Sequence, residues 1–423
     1  MKKLYQLLVF VGLSQMLFAQ YDVLNTYVAS GGSFSNPDDY VEIKKIDPTD
    51  YSVTLLNTIY TQSVSDLLIY RDKMFVAAAD SLIAYDLKTG TRYAAIAVSN
   101  TNKLSVVNNH LWLSRQAGVS GPPADGIYLK VFNMEDLSLV KDVEGIPADA
   151  AYVNFCGDFI YVTVPGDWSS TIGRIAVLDL STYTLQRVED LGADAVGIYN
   201  IYRRGDMLWI VCKTPYMGTN GSFVAYDPAN ATYEVITQEA SFGFGAGMDV
   251  ENNRSFLLYN STIAYYDFNA QTFTAVAPDP GSSNFISYAS AAYERGADLL
   301  WTNATDYTSF GTCKVYNMEG EELGSAEVGI SPEAMGFHYK DDSSIEETAA
   351  LSTSLYPNPA KDRVVVTTNQ AAVISLFNAN GALVDEVHSN GVTILNTRDL
   401  APGIYVVRAQ QAQHSSITKL IVQ

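Results

Sequence analysis

The side chains best suited to covalent or metal chemistry are few and scattered. Cys156, Cys212 and Cys313 stand far apart, as do His110, His338, His388 and His414, so no two have the spacing of paired metal ligands. An odd cysteine count at irregular positions is no disulfide framework. Cys212 ends the apolar run Leu208-Trp209-Ile210-Val211-Cys212 and reads as a buried thiol. No Ser/His/Asp order is found. Gly243 and Gly245 make no dinucleotide-binding turn, because no helical pattern follows them. Catalytic residues are therefore assigned to none, and no cofactor is expected, with Ca²⁺ left open. Asp38-Asp39 and Asp167 carry oxygens of the kind that serve an acid/base pair or a Ca²⁺ ion.

Residues suited to binding are more numerous. Phe34, Trp168, Tyr216 and Phe242 fall in segments rich in Gly, Ser, Pro and Asn, as do Phe244, Phe285, Tyr307 and Phe310. Asp38, Arg115, Asp167 and Asp306 accompany them. Rings exposed among small polar residues stack on sugar rings or grip a peptide. The plainer reading is that several of these rings only pin their loops to the scaffold. The chain has 46 acidic and 26 basic residues, a formal charge of −20. Such a surface repels phosphate backbones and anionic headgroups, so nucleic acid is excluded as a natural partner.

The elements that position these residues follow from a repeat. An apolar or aromatic strand ends in Asp or Asn and a turn at Ile46-Asp47, Tyr85-Asp86, Phe132-Asn133 and Leu178-Asp179, then at Tyr226-Asp227, Tyr266-Asp267 and Tyr316-Asn317. Successive copies lie 39 to 50 residues apart, the period of propeller blades. An Asp or Asn after a strand bonds backbone two residues on and starts a turn. Each copy therefore marks the hairpin between the third and fourth strands of a blade. Innermost strands are expected near Asp66, Ser105, Ala151, Ile198, Met248, Ala291 and Met335. The last lacks three followers, and the N-terminal stretch supplies them at residues 23–29, 40–46 and 51–56. The expectation is an all-β, seven-bladed β-propeller over residues 20–340, closed by its own two ends. The long loops at 30–39, 115–126, 165–173, 214–221 and 303–311 then share one face with the joints at 241–245 and 280–285. In architecture this stretch resembles propellers of the quinoprotein-like and surface-layer-type group, without the Trp-Asp and Gly-His signature of WD repeats.

Residues 341–348 are acidic and polar, the composition of a solvated linker, placed at 341–354. Beyond it, short apolar runs alternate with turns, including the hairpin signal Asn380-Gly381. Six or seven such runs in so short a span suggest a small Ig-like β-sandwich over 355–423. Four motifs follow in order: Tyr356-Pro357-Asn358-Pro359, then 374–381 ending in Gly381, then 400–407 with Gly403 and Tyr405, and last Lys419-Leu420-Ile421-Val422. Together they resemble the type A C-terminal sorting domain of the type IX secretion system of Bacteroidetes. The resemblance implies recognition by an outer-membrane translocon. It also implies a sortase-like peptidase that removes the domain and attaches the rest to surface lipopolysaccharide. Gly403 can take backbone angles closed to other residues.

At the other end, Met1-Lys2-Lys3, an apolar run from Leu7 to Phe18, and Ala19 read as a signal peptide over 1–19. The run is short for a membrane span, and no cysteine at the cut suggests a lipid anchor. No membrane insertion is expected once the signal is cleaved. The combined expectation is a protein secreted, or attached to the outer-membrane surface, by way of the periplasm. It would bind a glycan or protein ligand on the loop-rich face. The rival readings are a propeller polysaccharide lyase or hydrolase, and a structural surface protein without a small ligand.

Overall fold

The computed structural model describes residues 22–118, 120–340, 351, 353–368, 371–378, 381–389, 391–398, 400–411 and 414–423. The expected signal peptide and residues 341–350 of the expected linker lie outside the described residues. Among the described residues there is no α-helix, only two single-turn 3₁₀ segments, Ala193–Ala195 and Ser282–Asn284.

Up to Tyr339 the strands form four-stranded antiparallel sheets, seven in all. Six take consecutive strands, and each begins with an inner strand: Val64–Tyr70, Thr101–Val107, Val153–Cys156, Ile198–Arg204, Phe242–Asp249 or Ser287–Glu294. The remaining sheet pairs Ala334–Tyr339 with Val23–Ser30, then Val41–Ile46 and Val53–Ile59. Successive inner strands touch one another, and the series returns to its start because Ala334–Tyr339 also touches Val64–Tyr70. The arrangement is β-propeller-like.

Burial along the strands explains the stacking. Second strands are hidden on both faces: Lys73–Ala78 has five buried residues in a row. Fourth strands alternate, as Leu185–Asp190 does between half-buried and exposed, because one side meets water. The apolar core is divided between the sheets. Trp301, Cys313 and Val315 of the last sheet pack on Val28 and Ile46 of the one the chain's ends complete. Phe223 and Val211 pack on Phe242, Leu257 and Tyr266 of the next sheet. Trp112 packs on Phe155, Ile160 and Tyr183 in the same way. Each such fully buried large side chain contributes about 1.5–3 kcal/mol, so every sheet is held mainly by its two neighbours.

The repeat signature is a turn-forming device. Asp47 Oδ1 accepts the Thr49 N–H at 2.8 Å. Equivalent bonds run to Asn133 from Glu135 (2.8 Å), to Asp179 from Ser181 (3.0 Å), and to Asp227 from Ala229 (2.9 Å). Asp267 and Asn317 do the same for Asn269 (2.7 Å) and Glu319 (3.1 Å), while Asp86 takes Thr89 (2.9 Å).

The C-terminal residues form a three-stranded sheet, Thr353–Tyr356, Arg363–Thr368 and Val392–Asn396, and a four-stranded one. The latter runs Leu383–Ser389, Ala372–Phe377, Gly403–Gln411, His414–Val422. Val364, Val366, Ile374, Leu376, Val407 and Leu420 meet in one core. The strand Thr353–Tyr356 begins inside the segment expected as linker, because its pairing with Arg363–Thr368 outweighs the solubility of its Thr and Ser residues.

Candidate functional site

Strand direction alternates within each sheet. Second-to-third loops and the joints leading to the next inner strand therefore gather at one end of the ring. Backbone bonds lace them together: Gly31 N–H to Ser331 O (2.7 Å), Tyr216 N–H to Ser169 O (2.9 Å), Gly311 N–H to Gly329 O (3.1 Å).

Two of the expected binding residues do not belong to this surface. Phe242 is 2% exposed. The inner strand starts at Phe242 itself, and the ring packs 5.1 Å from Phe223 and 5.6 Å from Phe273. The Gly-rich run was expected as a loop; its glycines instead let neighbouring inner strands come close. A Cβ on Gly245 would lie 2.8 Å from Asn200 Cγ and the Tyr202 hydroxyl. Arg115 is 3% exposed and acts as a loop clamp. Its guanidinium donates to Ser99 O (2.9 Å), Ile127 O (2.7 Å) and Asp125 Oδ1 (2.6 Å). Burial pushes the Asp125 carboxyl up, but Arg115, the Ile127 N–H and Lys130 outweigh it and bring the group down to about 2.

Other rings do stand in solvent. Trp168 (76% exposed) and Tyr216 (62%) come from neighbouring sheets and meet edge to face at 4.8 Å. Met217 beside them is exposed and was not anticipated. Phe34 and Phe285 are almost fully exposed, and Phe310 lies under the Lys44 ammonium at 5.0 Å. The acids of this face are engaged in turns. Asp167 accepts the Ser169 N–H and hydroxyl, which hold its carboxyl below the usual range. Asp306 accepts from Ser309 and Thr308, which bring it down to about 2. The exposed Asp38 donates its own N–H to Asn36. No group of three or more His, Cys, Asp or Glu among the described residues is placed to hold a metal ion.

At the centre of this face the ring opens into a cavity of about 360 Å³. Of its lining only Phe244 and Tyr307 are among the expected binding residues, because its walls come from separate sheets that meet only when the ring closes. Asp66, Lys103, Tyr199, Phe244 and Glu333 line it, with Tyr152, Lys213, Ser290 and Tyr307. The Asp66 carboxylate accepts the Leu104 N–H at 2.8 Å, and Val64 N–H bonds Glu333. Both acids are pushed up by burial, although each keeps some area open to the lumen. Burial pulls the Lys103 ammonium down, but Tyr199, Asp66 and Glu333 outweigh it. That ammonium donates to Ser65 O at 2.5 Å and lies 5.9 Å from the centre of the Tyr152 ring. Tyr152 and Tyr199 meet edge to face at 5.6 Å. Lys213 Nζ sits 3.7 Å over the Tyr199 ring. Gly197 makes room for the Lys213 backbone: its φ is +75°, and a Cβ there would stand 2.0 Å from Lys213 O.

The second site is in the tail. Asn358 fastens the final strand with its side chain: Nδ2 donates to Lys419 O (2.7 Å), and Oδ1 accepts the Ile421 N–H (2.9 Å). The flanking Tyr356-Pro357 and Asn358-Pro359 bonds are both cis. Ala360 extends the hold, giving its N–H to Ile421 O (2.8 Å) and taking that of Gln423 (2.9 Å). Tyr405 hooks its hydroxyl onto Ala401 O at 3.0 Å. Tyr356, Val365 and Ile394 lie directly opposite one another across the three strands, with Tyr356 and Ile394 exposed. Lys419 is exposed on the last strand. Gly381 turns with φ +80°. Gly403 opens a strand without a positive φ.

All three cysteines are buried and none is in a disulfide, and burial pushes Cys212 and Cys313 up to about 12. No helix among the described residues is long and apolar enough to cross a membrane.

Residues 354–423 match the family described as the secretion system C-terminal sorting domain. This segment is a type IX sorting domain, which implies interaction with that secretion system and a secreted or cell-surface location. No curated protein matches the chain. Among solved structures it is similar to a hypothetical selenium-binding protein from Sulfolobus tokodaii, at 10% identity and TM-score 0.57, over 75% of this chain and 92% of that one. It is similar to a putative 6-phosphogluconolactonase from Bacteroides fragilis NCTC 9343, at 11% identity and TM-score 0.53, over 74% and 98%. The β-propeller domain of Myceliophteria thermophila Cps50 (Swd1) also matches, at 12% identity and TM-score 0.47, over 65% and 89%. At these identities the first two likenesses speak to the fold alone.

Proposed function

We propose that this chain is an exported binding protein whose ring holds a glycan or protein ligand on its loop-rich face. In this reading a signal peptide (1–19) directs passage to the periplasm. Residues 20–340 are a seven-bladed β-propeller, and an Ig-like sandwich from about residue 355 is the export address. The outer-membrane translocon binds that sandwich, and a sortase-like peptidase releases or anchors the propeller. The Tyr405 hydroxyl hook supports the Ig-like reading, since such corners recur in those sandwiches. The apolar row of Tyr356, Val365 and Ile394 is the face offered to the translocon.

One observation carries the binding reading. Trp168 and Tyr216 are large rings left in water, yet fixed against each other and by the Tyr216 N–H to Ser169 O bond. Rigid exposed aromatics lose little entropy when a ligand covers them. A glycan array and a pull-down from the native cell envelope test it, with the wild type against Trp168→Ala/Tyr216→Ala. The expected result is a wild-type ligand whose binding weakens at least about tenfold in the double variant. Equal binding by both proteins, or none by either, removes this reading. Export is tested by a chain ending at Lys340. Periplasmic retention is expected, and normal appearance outside the cell would overturn the assignment of the tail as the signal.

A further inference from the structure

We infer that the cavity at the ring's centre binds a carboxylate-bearing sugar unit of the uronic-acid class. The Lys213 ammonium would meet the acid, Phe244 and Tyr307 the ring, and Asp66 and Glu333 the hydroxyls. This narrows the glycan half of the proposed function and rests on it, but uses different residues.

The charge pattern selects the ligand. Among the described residues Lys213 has no acid within ion-pair distance, in a chain with 46 acidic and 26 basic residues. A half-buried ammonium facing a cavity with only a ring beneath it is an unfilled anion site. Lys103, by contrast, is already satisfied by Ser65 O and by Tyr199. The two acids are held by backbone N–H groups and face the lumen, where they accept from hydroxyls. A simple anion would be repelled by them, and a neutral sugar would leave Lys213 unmatched. A ligand with one carboxylate and several hydroxyls satisfies both. The volume, about 360 Å³, is at the small end for ligand pockets and suits a single terminal sugar unit.

Titration calorimetry of the full chain tests the inference with galacturonate, galactose and N-acetylalaninate at low salt. Galacturonate should bind at least about tenfold more tightly than galactose. Lys213→Met should reduce galacturonate to the level of galactose, whereas Lys213→Arg should keep the preference. Unaltered thermal unfolding of Lys213→Met shows that the fold survives. No heat with galacturonate, or an equal response to galactose, overturns the inference. So does a Lys213→Met protein that keeps the preference. Equal binding of N-acetylalaninate would make the ligand a peptide carboxylate and likewise overturn it. A wild type that binds galacturonate but gives no array ligand fails at the rim, and one that gives an array ligand but no heat with galacturonate fails at the cavity, so the two failures are told apart.

Discussion

Asn358 carries more of the tail's stability than its exposed position suggests. Its two bonds to the final strand stand in for a missing ladder partner. At about 1 kcal/mol per bond, Asn358→Ala should cost about 2 kcal/mol. Faster amide exchange at 419–423 than in the wild type is the expected readout. Unchanged exchange would show the clamp to be idle. The Arg115–Asp125 pair makes a pH prediction. Asp125 has its folded value lowered to about 2, below an ordinary unfolded value of about 3.9. Its contribution is fully present above the unfolded value and fades as pH falls through the folded one. The stability gap between wild type and Asp125→Asn should therefore shrink between about pH 4 and pH 2, as read by urea unfolding. Arg115 itself looked like a ligand contact in the sequence because it precedes a long loop. What the sequence hides is that the loop folds back and covers it. Asp66, Lys103 and Lys213 were illegible for the opposite reason. Each reads as an ordinary strand or loop residue of its own repeat, and only closure of the ring makes them neighbours.

Among the elements, the strand-to-turn signature was the most legible feature, since its chemistry is complete within four residues. Asp179 accepts both the N–H and the hydroxyl of Ser181, and those of Thr182. Asp179→Ala should cost about 1 kcal/mol, and should add nearly independently to Asn133→Ala, because the turns share no partner. Chemical denaturation of the two single variants and the double checks both statements. The strand Phe242–Asp249 was misread because small residues at its start mimic a loop. Space between strands, not flexibility, explains those glycines. Gly197 is the sharper case. Gly197→Ala would strain a left-handed backbone and collide with Lys213 O, so a loss above about 2 kcal/mol is expected, together with weakened galacturonate binding. A variant as stable as the wild type would contradict the stated geometry.

For the whole molecule, the ring has no independent part. Every sheet buries its faces against two neighbours, and the join between Val23–Ser30 and Ala334–Tyr339 runs from Val23 opposite Tyr339 to Ala29 opposite Ala334. A chain cut after Pro332 should lose cooperative unfolding and associate, since the first strand is left with an open edge. Size-exclusion chromatography and calorimetry read both effects, and a monomer with an unaltered melting transition would refute the closure argument. The sequence announced this join because each end held part of a repeat. It could not announce the cavity, which belongs to no single repeat.

That join also imposes a timetable. The strand made first waits, half mated, until nearly the last segment before the tail has been delivered, and contacts spanning so much chain form slowly. A chain delivered from its first residue onward thus cannot close its ring for most of its synthesis. It can lock into shape only when its shipping label is about to arrive.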